Sequence, residues 1–467
     1  MLVYVALVQR FPLLRFLDVP RANAGSITNR SPSAALLLLF GGVMLHVAYS
    51  VAVLQCWSAE PRERRLRPLV WGYALIVGLV LVAIWPVTST DVFDYLFRGR
   101  MAAQYGANPY ILPPNQFSSD PLFRYVGWPN APTAYGPLWE LMSGRMAALG
   151  GASVLRNVLL HKALALATFL LCGWVLERMT RVRGPQVQML ASMLWLWSPL
   201  ALWEIVAAGH NDGFLILSLL LAIWATTNGW HRWAATALVV GALFKFLPLI
   251  LLPLVVVHGM RRRETWLSRL RLAVEIGVIS GVLIVLAYVP FWDGLATLNN
   301  IGLREKFLNA APLALLTFGL STQLPGDAVR GAVSRFGSVL LLGGILWQMW
   351  HIWRGRDLTR ASLGLLAWYL IFASQWFQPW YVLWLLALLA LRPSRALFAA
   401  IETWAISGQA SYLLQYFGLT WLGWRGNELP GQVLYFLVIF VPPLIVFAIT
   451  HWHSRPREDI QSLPATA

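Results

Sequence analysis

The chain has 467 residues, of which 58% are hydrophobic and only 12% charged, with 36 Lys and Arg against 20 Asp and Glu. Soluble globular domains are roughly one-quarter charged, so that class is excluded, and apolar runs long enough to cross about 30 Å of hydrocarbon are continuous where a membrane β-barrel would alternate. The formal net charge of +16 suggests nucleic acid at first sight, but the arginines sit in short loops between apolar runs, which is the positive-inside pattern of a membrane protein.

In chain order, residues 1–20 carry an apolar run interrupted by Arg10 and Arg15. It has neither an unbroken signal-peptide core nor a small-residue cleavage site, and it reads as an interfacial or short membrane helix. Membrane spans are expected at about 34–56, 68–88, 154–176, 187–208, 212–228, 272–290, 333–353, 361–376, 380–391, 396–417 and 431–451. The basic loops hold Arg62, Arg64, Arg65 and Arg67; Arg178, Arg181 and Arg183; Arg261 to Arg263, Arg269 and Arg271; Arg354, Arg356 and Arg360; Arg392 and Arg395. Placing them in the cytoplasm puts 88–151, 209–212, 291–331, 375–379 and 418–430 outside and the tail 454–467 inside. The expected fold class is an all-α polytopic protein of about 11–13 membrane helices. Residues 1–33 form an N-terminal segment, and 34–453 a transmembrane domain with an outer loop at 88–151.

Two places resist a simple count. Residues 233–258 have basic loops on both sides, so both ends should be cytoplasmic, yet the stretch is too short to cross twice. A broken pair of helices turning near Lys245-Phe246-Leu247-Pro248 resolves this, because proline disrupts the helix and irregular backbone at depth must line a cavity or be covered by protein. The spans at 361–376 and 380–391 suggest a hairpin with its tip at Gln375 to Trp380. Cys56 and Cys172 lie inside apolar runs and read as buried thiols. No solenoid or inverted repeat is evident.

The polar island at 88–151 is the most informative stretch, since loops of this length without a function are uncommon. Asp91 and Asp94 lie one turn apart on one face of an expected helix. They suit a general base at the outer surface, or helix capping after Ser89-Thr90. Arg98 and Arg100 follow, able to hold a phosphate or to snorkel to headgroups. Asn108-Pro109-Tyr110 and Tyr135-Gly136-Pro137 are turn chemistry whose aromatics can stack on sugar faces. His210 and Asp212 sit at an outer turn. Glu204 lies within an apolar run, where a carboxylate is a functional hypothesis by default. Lys245, at a helix break, needs an anionic partner, either a lipid phosphate or a carboxylate such as Glu204. His46, His161 and Glu402 read as packed or paired groups. No metal-ligand spacing appears, and neither does a Walker loop, a dinucleotide fingerprint or a nucleophile elbow. With an outer site, nucleotide sugars are out of reach, and a glycosyl donor must arrive as a polyprenyl-phosphate sugar.

Thr90-Asp91-Val92-Phe93-Asp94-Tyr95, Gly106-Ala107-Asn108-Pro109-Tyr110 and Pro132-Thr133-Ala134-Tyr135-Gly136-Pro137-Leu138-Trp139 resemble the first outer loop of GT-C glycosyltransferases. The closest resemblance is to the polyprenol-phosphate-mannose-dependent α-1,6-mannosyltransferases of bacterial lipoglycan synthesis. Ser198-Pro199-Leu200, Gly209-His210-Asn211-Asp212 and Phe244-Lys245-Phe246-Leu247-Pro248 are similar to later motifs of that family, in the same order. Trp376-Phe377-Gln378-Pro379-Trp380-Tyr381 resembles a hairpin tip of related enzymes. The chain departs from the family where Ser89-Thr90-Asp91 stands for a Ser-Arg-Asp triplet and Ser-Pro-Leu for Asn-Pro-Leu.

The resemblance implies a GT-C-like bundle in the cell membrane. It implies an inverting transfer of a hexose, mannose in that family, from a polyprenyl-phosphate sugar to a glycan or glycolipid, with no cofactor, metal or nucleic acid. Asp91 is the expected base and Asp94 its alternative. Arg98, Arg100 and Lys245 are expected to meet the donor phosphate, and Asn108, Tyr110, Tyr135, His210, Asp212 and Gln378 the acceptor or sugar. The rival class is a transporter or lipid-linked sugar flippase, which would show inverted repeats and mid-membrane charges.

Overall fold

The structure is a computed structural model in which residues 1–58, 66–298 and 307–454 are described. Arg62, Arg64 and Arg65 and the tail beyond residue 454 lie outside them. The described residues form helices with no extended strands, only isolated bridges such as Pro12 with Ile84. Five helices are long and apolar enough to cross a membrane: Pro32–Ser58, Val154–Arg183, Trp266–Phe291, Gly326–Trp353 and Leu429–Trp452. Pro185–Leu196 and Pro199–Ala207 are together long and apolar enough to span, but are bent by 42° at their junction. The break falls at Ser198-Pro199, where the Ser198 hydroxyl caps the second piece by accepting from the Ala201 N–H at 3.2 Å. Shorter apolar helices among the described residues are Arg67–Val82, Asp212–Thr227, Leu247–Arg261, Leu358–Ala373 and Pro379–Leu391, and Arg395–Leu413 is a further helix of 19 residues. The chain is an all-α, multi-pass membrane protein.

Burial separates the inner helices from the outer ones. Of the apolar window of Val154–Arg183, 56% is buried, against 17–22% for the other four long helices. Leu36, Leu39, Phe40, Val43, Met44 and Val47 on Pro32–Ser58 are all exposed. In water such a face would drive association; in a bilayer it meets acyl chains.

The first helix, Leu2–Arg10, has nine residues and a length of about 14 Å, too short to cross. The chain after it runs beside residues 83–87: Leu13 N–H donates to the Ala83 carbonyl at 2.8 Å and Ala24 N–H to the Val87 carbonyl at 2.9 Å. Across the same bend, the ammonium of Lys162, fully buried, donates to the carbonyls of Leu81 and Val82 at 3.3 and 3.4 Å and to that of Ile84. These carbonyls lie at and just beyond a helix C-terminus, where a cation is favoured. Lys162 therefore holds the bend that turns the chain into the polar island.

The broken pair expected at 233–258 is present. His231–Ala242 ends at a break over 243–246, and Leu247–Leu251 and Leu252–Arg261 continue beyond it. The basic loops that flank it share one end of the bundle with others. Arg392 pairs with Asp357 at 2.9 Å, Arg183 donates to the Leu391 carbonyl, and the Arg261 guanidinium approaches Gly355. The polar island, the Gly209–Asn211 turn and the 374–380 tip gather at the other end.

Candidate functional site

Asp91 opens the helix Asp91–Tyr105, whose first turn also contains Asp94, a placement favoured by the helix dipole. The N-cap position falls on Thr90, which makes no side-chain cap bond, and Asp91 is the first residue of the helix proper. The two aspartates have opposite fates. Asp94 is buried and saturated: it accepts from Arg98 at 3.0 Å, from Gly127 N–H at 3.1 Å and from Trp128 N–H at 3.0 Å. Asp91 keeps 16% of its side chain exposed and receives Tyr135 Oη at 3.1 Å and Tyr95 Oη at 3.5 Å on Oδ2.

Arg98 and Arg100 are committed inside the island. Arg98 donates to Asp94 and, at 2.9 Å, to the Ala131 carbonyl; Arg100 pairs with Asp120, which also accepts from Tyr105 Oη at 2.7 Å and Leu122 N–H at 2.8 Å. Each guanidinium thus neutralises a buried carboxylate and pins a loop. Asn108 and Tyr110 are braces as well. Asn108 Nδ2 donates to the Phe291 carbonyl at 2.7 Å, its Oδ1 accepts from Tyr110 N–H at 3.0 Å, and Tyr110 Oη donates to the Tyr135 carbonyl at 2.8 Å.

The end of the island reaches the broken helix. Gly136 N–H donates to the Phe244 carbonyl at 3.0 Å and Leu138 N–H to the Leu243 carbonyl at 2.9 Å. The break frees these carbonyls, and buried backbone groups need partners. Lys245 follows directly. Its ammonium pairs with Asp212 Oδ2 at 2.7 Å, keeps 15% side-chain exposure, and lies 5.9 Å and 5.5 Å from the ring centroids of Trp380 and Tyr381. Asp212 is fully buried and also accepts from Trp384 Nε1 at 3.0 Å. The partner of Lys245 in the structure is thus a carboxylate, Asp212 and not Glu204.

His210 joins the two halves. Gly209 before it takes φ of 79°, a left-handed conformation suited to glycine. The buried imidazole packs against Trp380, with ring centroids 3.8 Å apart and planes tilted by 33°. Its Nδ1 lies 2.8 Å from the Glu204 carbonyl and 3.4 Å from Glu204 Oε2, and its Nε2 lies 4.0 Å from Asp91 Oδ2. Burial works against the imidazolium, but the Glu204 hydrogen bond and the carboxylates of Asp91, Glu204 and Asp212 outweigh it and hold His210 above the ordinary imidazole range. Gln378 is half-buried at the hairpin tip, where its carbonyl accepts from Tyr381 N–H at 3.0 Å.

Asp91, Tyr135, His210, Asp212 and Lys245 are therefore linked by direct contacts and through the ring of Trp380, while Asp94, Arg98, Arg100, Asn108 and Tyr110 brace the island around them. A part-exposed carboxylate can accept a proton there, and a part-exposed ammonium can meet an anion. Several groups had drawn no role from the sequence: Trp380, Trp384, Tyr412, and the ring cluster Trp128, Phe307 and Trp376, with centroids 5.5–6.0 Å apart. Only the tryptophans of the motifs hinted at them.

Residues 8–261 match the family described as α-(1→6)-mannopyranosyltransferase, N-terminal domain. The chain belongs to this family. The matched region holds Asp91, Tyr135, His210, Asp212 and Lys245 but not the hairpin tip. Among relatives of the α-(1→6)-mannopyranosyltransferase family, the chain is 27% identical over 397 residues to a probable α-(1→6)-mannopyranosyltransferase of Mycolicibacterium smegmatis, covering 75% of this chain and 69% of that one. It is 23% identical over 370 residues to α-(1→6)-mannopyranosyltransferase B of Corynebacterium glutamicum, covering 70% of this chain and 58% of the relative. A Mycobacterium tuberculosis α-(1→6)-mannopyranosyltransferase is 29% identical over 149 residues, covering 31% of this chain and 24% of the relative. No solved structure matches the chain.

Proposed function

We propose that this protein is a GT-C-type mannosyltransferase that moves mannose from a polyprenyl-phosphate donor to a glycan or glycolipid acceptor on the non-cytoplasmic face of the membrane, with inversion at the anomeric carbon. The observation that carries this reading is the contrast between the two aspartates. Asp94 is saturated by Arg98 and two backbone N–H groups, whereas Asp91 stays part-exposed with a carboxylate able to take a proton.

In this reaction Asp91 accepts the proton of the acceptor hydroxyl while that oxygen attacks the anomeric carbon. The bond to the polyprenyl phosphate breaks on the opposite face. Lys245 offsets the charge that develops on the leaving phosphate, an electrostatic term of the kind that usually dominates such steps; its pair with Asp212 holds the ammonium in place before the donor arrives. Arg98 and Arg100 support the walls and do not touch the donor. The Trp128–Phe307–Trp376 cluster offers apolar ring faces to the acceptor sugars, with Trp128 40% exposed. An apolar cavity of about 110 Å³, lined by Leu39, Val43, Trp203, Tyr412 and Leu413 among others, lies beside the lipid-exposed Pro32–Ser58 helix and suits lateral entry of a prenyl chain. The placement on the non-cytoplasmic face rests on the arginine loops gathering at the other end of the bundle.

The test is transfer by the purified protein in lipid nanodiscs, with radiolabelled polyprenyl-phosphate mannose and an α-(1→6)-linked mannan acceptor. Label in the glycan supports the reading. Label from a nucleotide-activated mannose without any lipid intermediate would refute the donor, and label crossing sealed vesicles without entering glycan would favour the transporter.

A further inference from the structure

Glu204 is a fully buried carboxylate in an apolar span, and the backbone around it, Leu202–Ala207, is a π-helical turn. Such turns concentrate at functional sites, and intramembrane carboxylates are costly to retain. Three donors converge on Glu204. Tyr412 Oη gives to Oε2 at 3.0 Å, Gln409 Nε2 to Oε1 at 3.4 Å, and His210 Nδ1 faces Oε2 at 3.4 Å. The orientation of Gln409 is fixed from behind: His46 Nε2 lies 2.8 Å from Gln409 Oε1, and His46 Nδ1 lies 2.7 Å from Glu402 Oε1. With its carbonyl taken by His46, Gln409 can only turn its amide NH₂ toward Glu204. Every neighbour of Glu204 is then a donor, which suits an ionised acceptor. His210 must carry its proton on Nδ1, so Nε2 is left with its lone pair. That Nε2 is buried and has no hydrogen-bond partner, and the nearest acid is Asp91 at 4.0 Å.

Resting on Asp91 as base, we propose that His210 takes the proton onward from Asp91, and that Glu204 is the positioning residue that orients His210 and stabilises it once charged. The acceptor O–H bond breaks as the new glycosidic bond forms, and the proton goes to Asp91 Oδ2. The electron pair of the broken sugar–phosphate bond leaves with the phosphate. The proton then passes from Asp91 to His210 Nε2, restoring the carboxylate, and the imidazolium is offset by Glu204 before the proton returns to water. The 4.0 Å gap closes by a small rotation of Asp91 or through one bridging water, as catalytic contacts in unliganded sites commonly do. The arrangement shares the logic of an acid, an imidazole and an orienting carboxylate, with Asp91 as the group that touches the acceptor.

The relay works in molecules whose His210 begins neutral. The charged or titratable groups around the ring are Asp91 on its own helix, Glu204 on the π turn, Asp212 on the helix that follows, Lys245 across Trp380, and Tyr412 through Glu204. Because the carboxylates favour the imidazolium, kcat/KM of the wild type should rise with pH along a limb above the ordinary imidazole range. Glu204→Gln removes one such carboxylate and should move that limb to lower pH while lowering kcat at least 10-fold. His210→Gln, which cannot take the proton, should abolish the limb and reduce kcat about 100-fold, within the usual span of proton-transfer catalysis.

The experiment measures pH–rate profiles of mannosyl transfer from polyprenyl-phosphate mannose for the wild type, E204Q, H210Q and D91N in nanodiscs, each checked for a cooperative melt. Should E204Q fail to fold, Tyr412→Phe, which strips one donor from Glu204, is expected to shift the limb of a folded protein in the opposite direction. A limb unmoved in E204Q and still present in H210Q overturns the relay even if D91N is inactive. An active D91N overturns the underlying assignment of the base instead.

Discussion

The N–H of Gly136 donates to the carbonyl of Phe244 at 3.0 Å, so the loop that carries Tyr135 toward Asp91 is fastened to the helix break that carries Lys245. The contact needs glycine. A Cβ at residue 136 would stand 2.2 Å from the Leu243 carbonyl oxygen. Gly136→Ala is therefore expected to push the loop and the break apart, displacing Tyr135 and Lys245 together. Misplacement by about 1 Å can cost 100-fold in rate. A steady-state assay of G136A should show kcat lowered by about that factor, whereas near-normal turnover would show that the two elements need no tether.

Lys245 and Asp212 form a pair in which the carboxylate is fully buried. Removing one partner of a buried pair costs roughly 3–5 kcal/mol, since the other charge stays behind. Lys245→Ala should lower thermal stability and raise the apparent KM for the lipid donor at least 10-fold. The double variant Lys245→Ala/Asp212→Asn should recover stability but not donor affinity. Recovery of both would reduce Lys245 to a structural counter-ion.

Much of the fold is legible in the sequence, because a membrane span is a local property: about 20 apolar residues suffice. The break at Lys245 could be read from Pro248 and the two basic loops. The site was legible only in part. Asp91, His210, Asp212 and Lys245 converge, and their motifs follow one another in sequence. The partners of Arg98 and Arg100 are not legible because they are set by tertiary contacts: Asp120, which pairs with Arg100, lies twenty residues away in an irregular loop, and Arg98 bonds across the island to Ala131. Lys162 drew no attention in its apolar helix, although the carbonyls it caps come from another span. Glu204 could be singled out as an intramembrane carboxylate, but no local pattern announces a π turn or names Tyr412 and Gln409 as its donors.

Glu140 sets a pH dependence of the island. It is buried, its Oε2 has no partner, and Thr133 alone donates to Oε1. Burial pushes its carboxyl up to about 7, against smaller opposing effects of Thr133 and Arg98. A folded value raised above the unfolded one means that the contribution to stability is complete below about 4.5 and is lost as pH rises through about 7. The wild type should lose stability between pH 5 and 8, by an amount on the order of 3 kcal/mol. Glu140→Gln should flatten that decline, and parallel melting curves across pH for the two proteins would contradict it.

The exposed ring of Trp128 is presented by the Asp94–Arg98 pair, which holds the backbone on either side of it. If its face receives the acceptor sugar, Trp128→Ala should raise the acceptor KM about 10-fold, in line with the loss of one aromatic contact, and leave the donor KM unchanged. Equal changes in both would point to a collapsed loop.

The measurement that bears most directly on the account is mannosyl transfer from a defined polyprenyl-phosphate mannose by Asp91→Asn, compared with Asp94→Asn. Asp91→Asn should fold with near wild-type stability, since Asp91 is part-exposed and asparagine keeps an oxygen that can accept from Tyr135, and should lose at least 100-fold in kcat. Asp94→Asn should lose stability as well as activity, because Arg98 is left uncompensated. Transfer by Asp91→Asn at a rate near that of the wild type would contradict its role as the base.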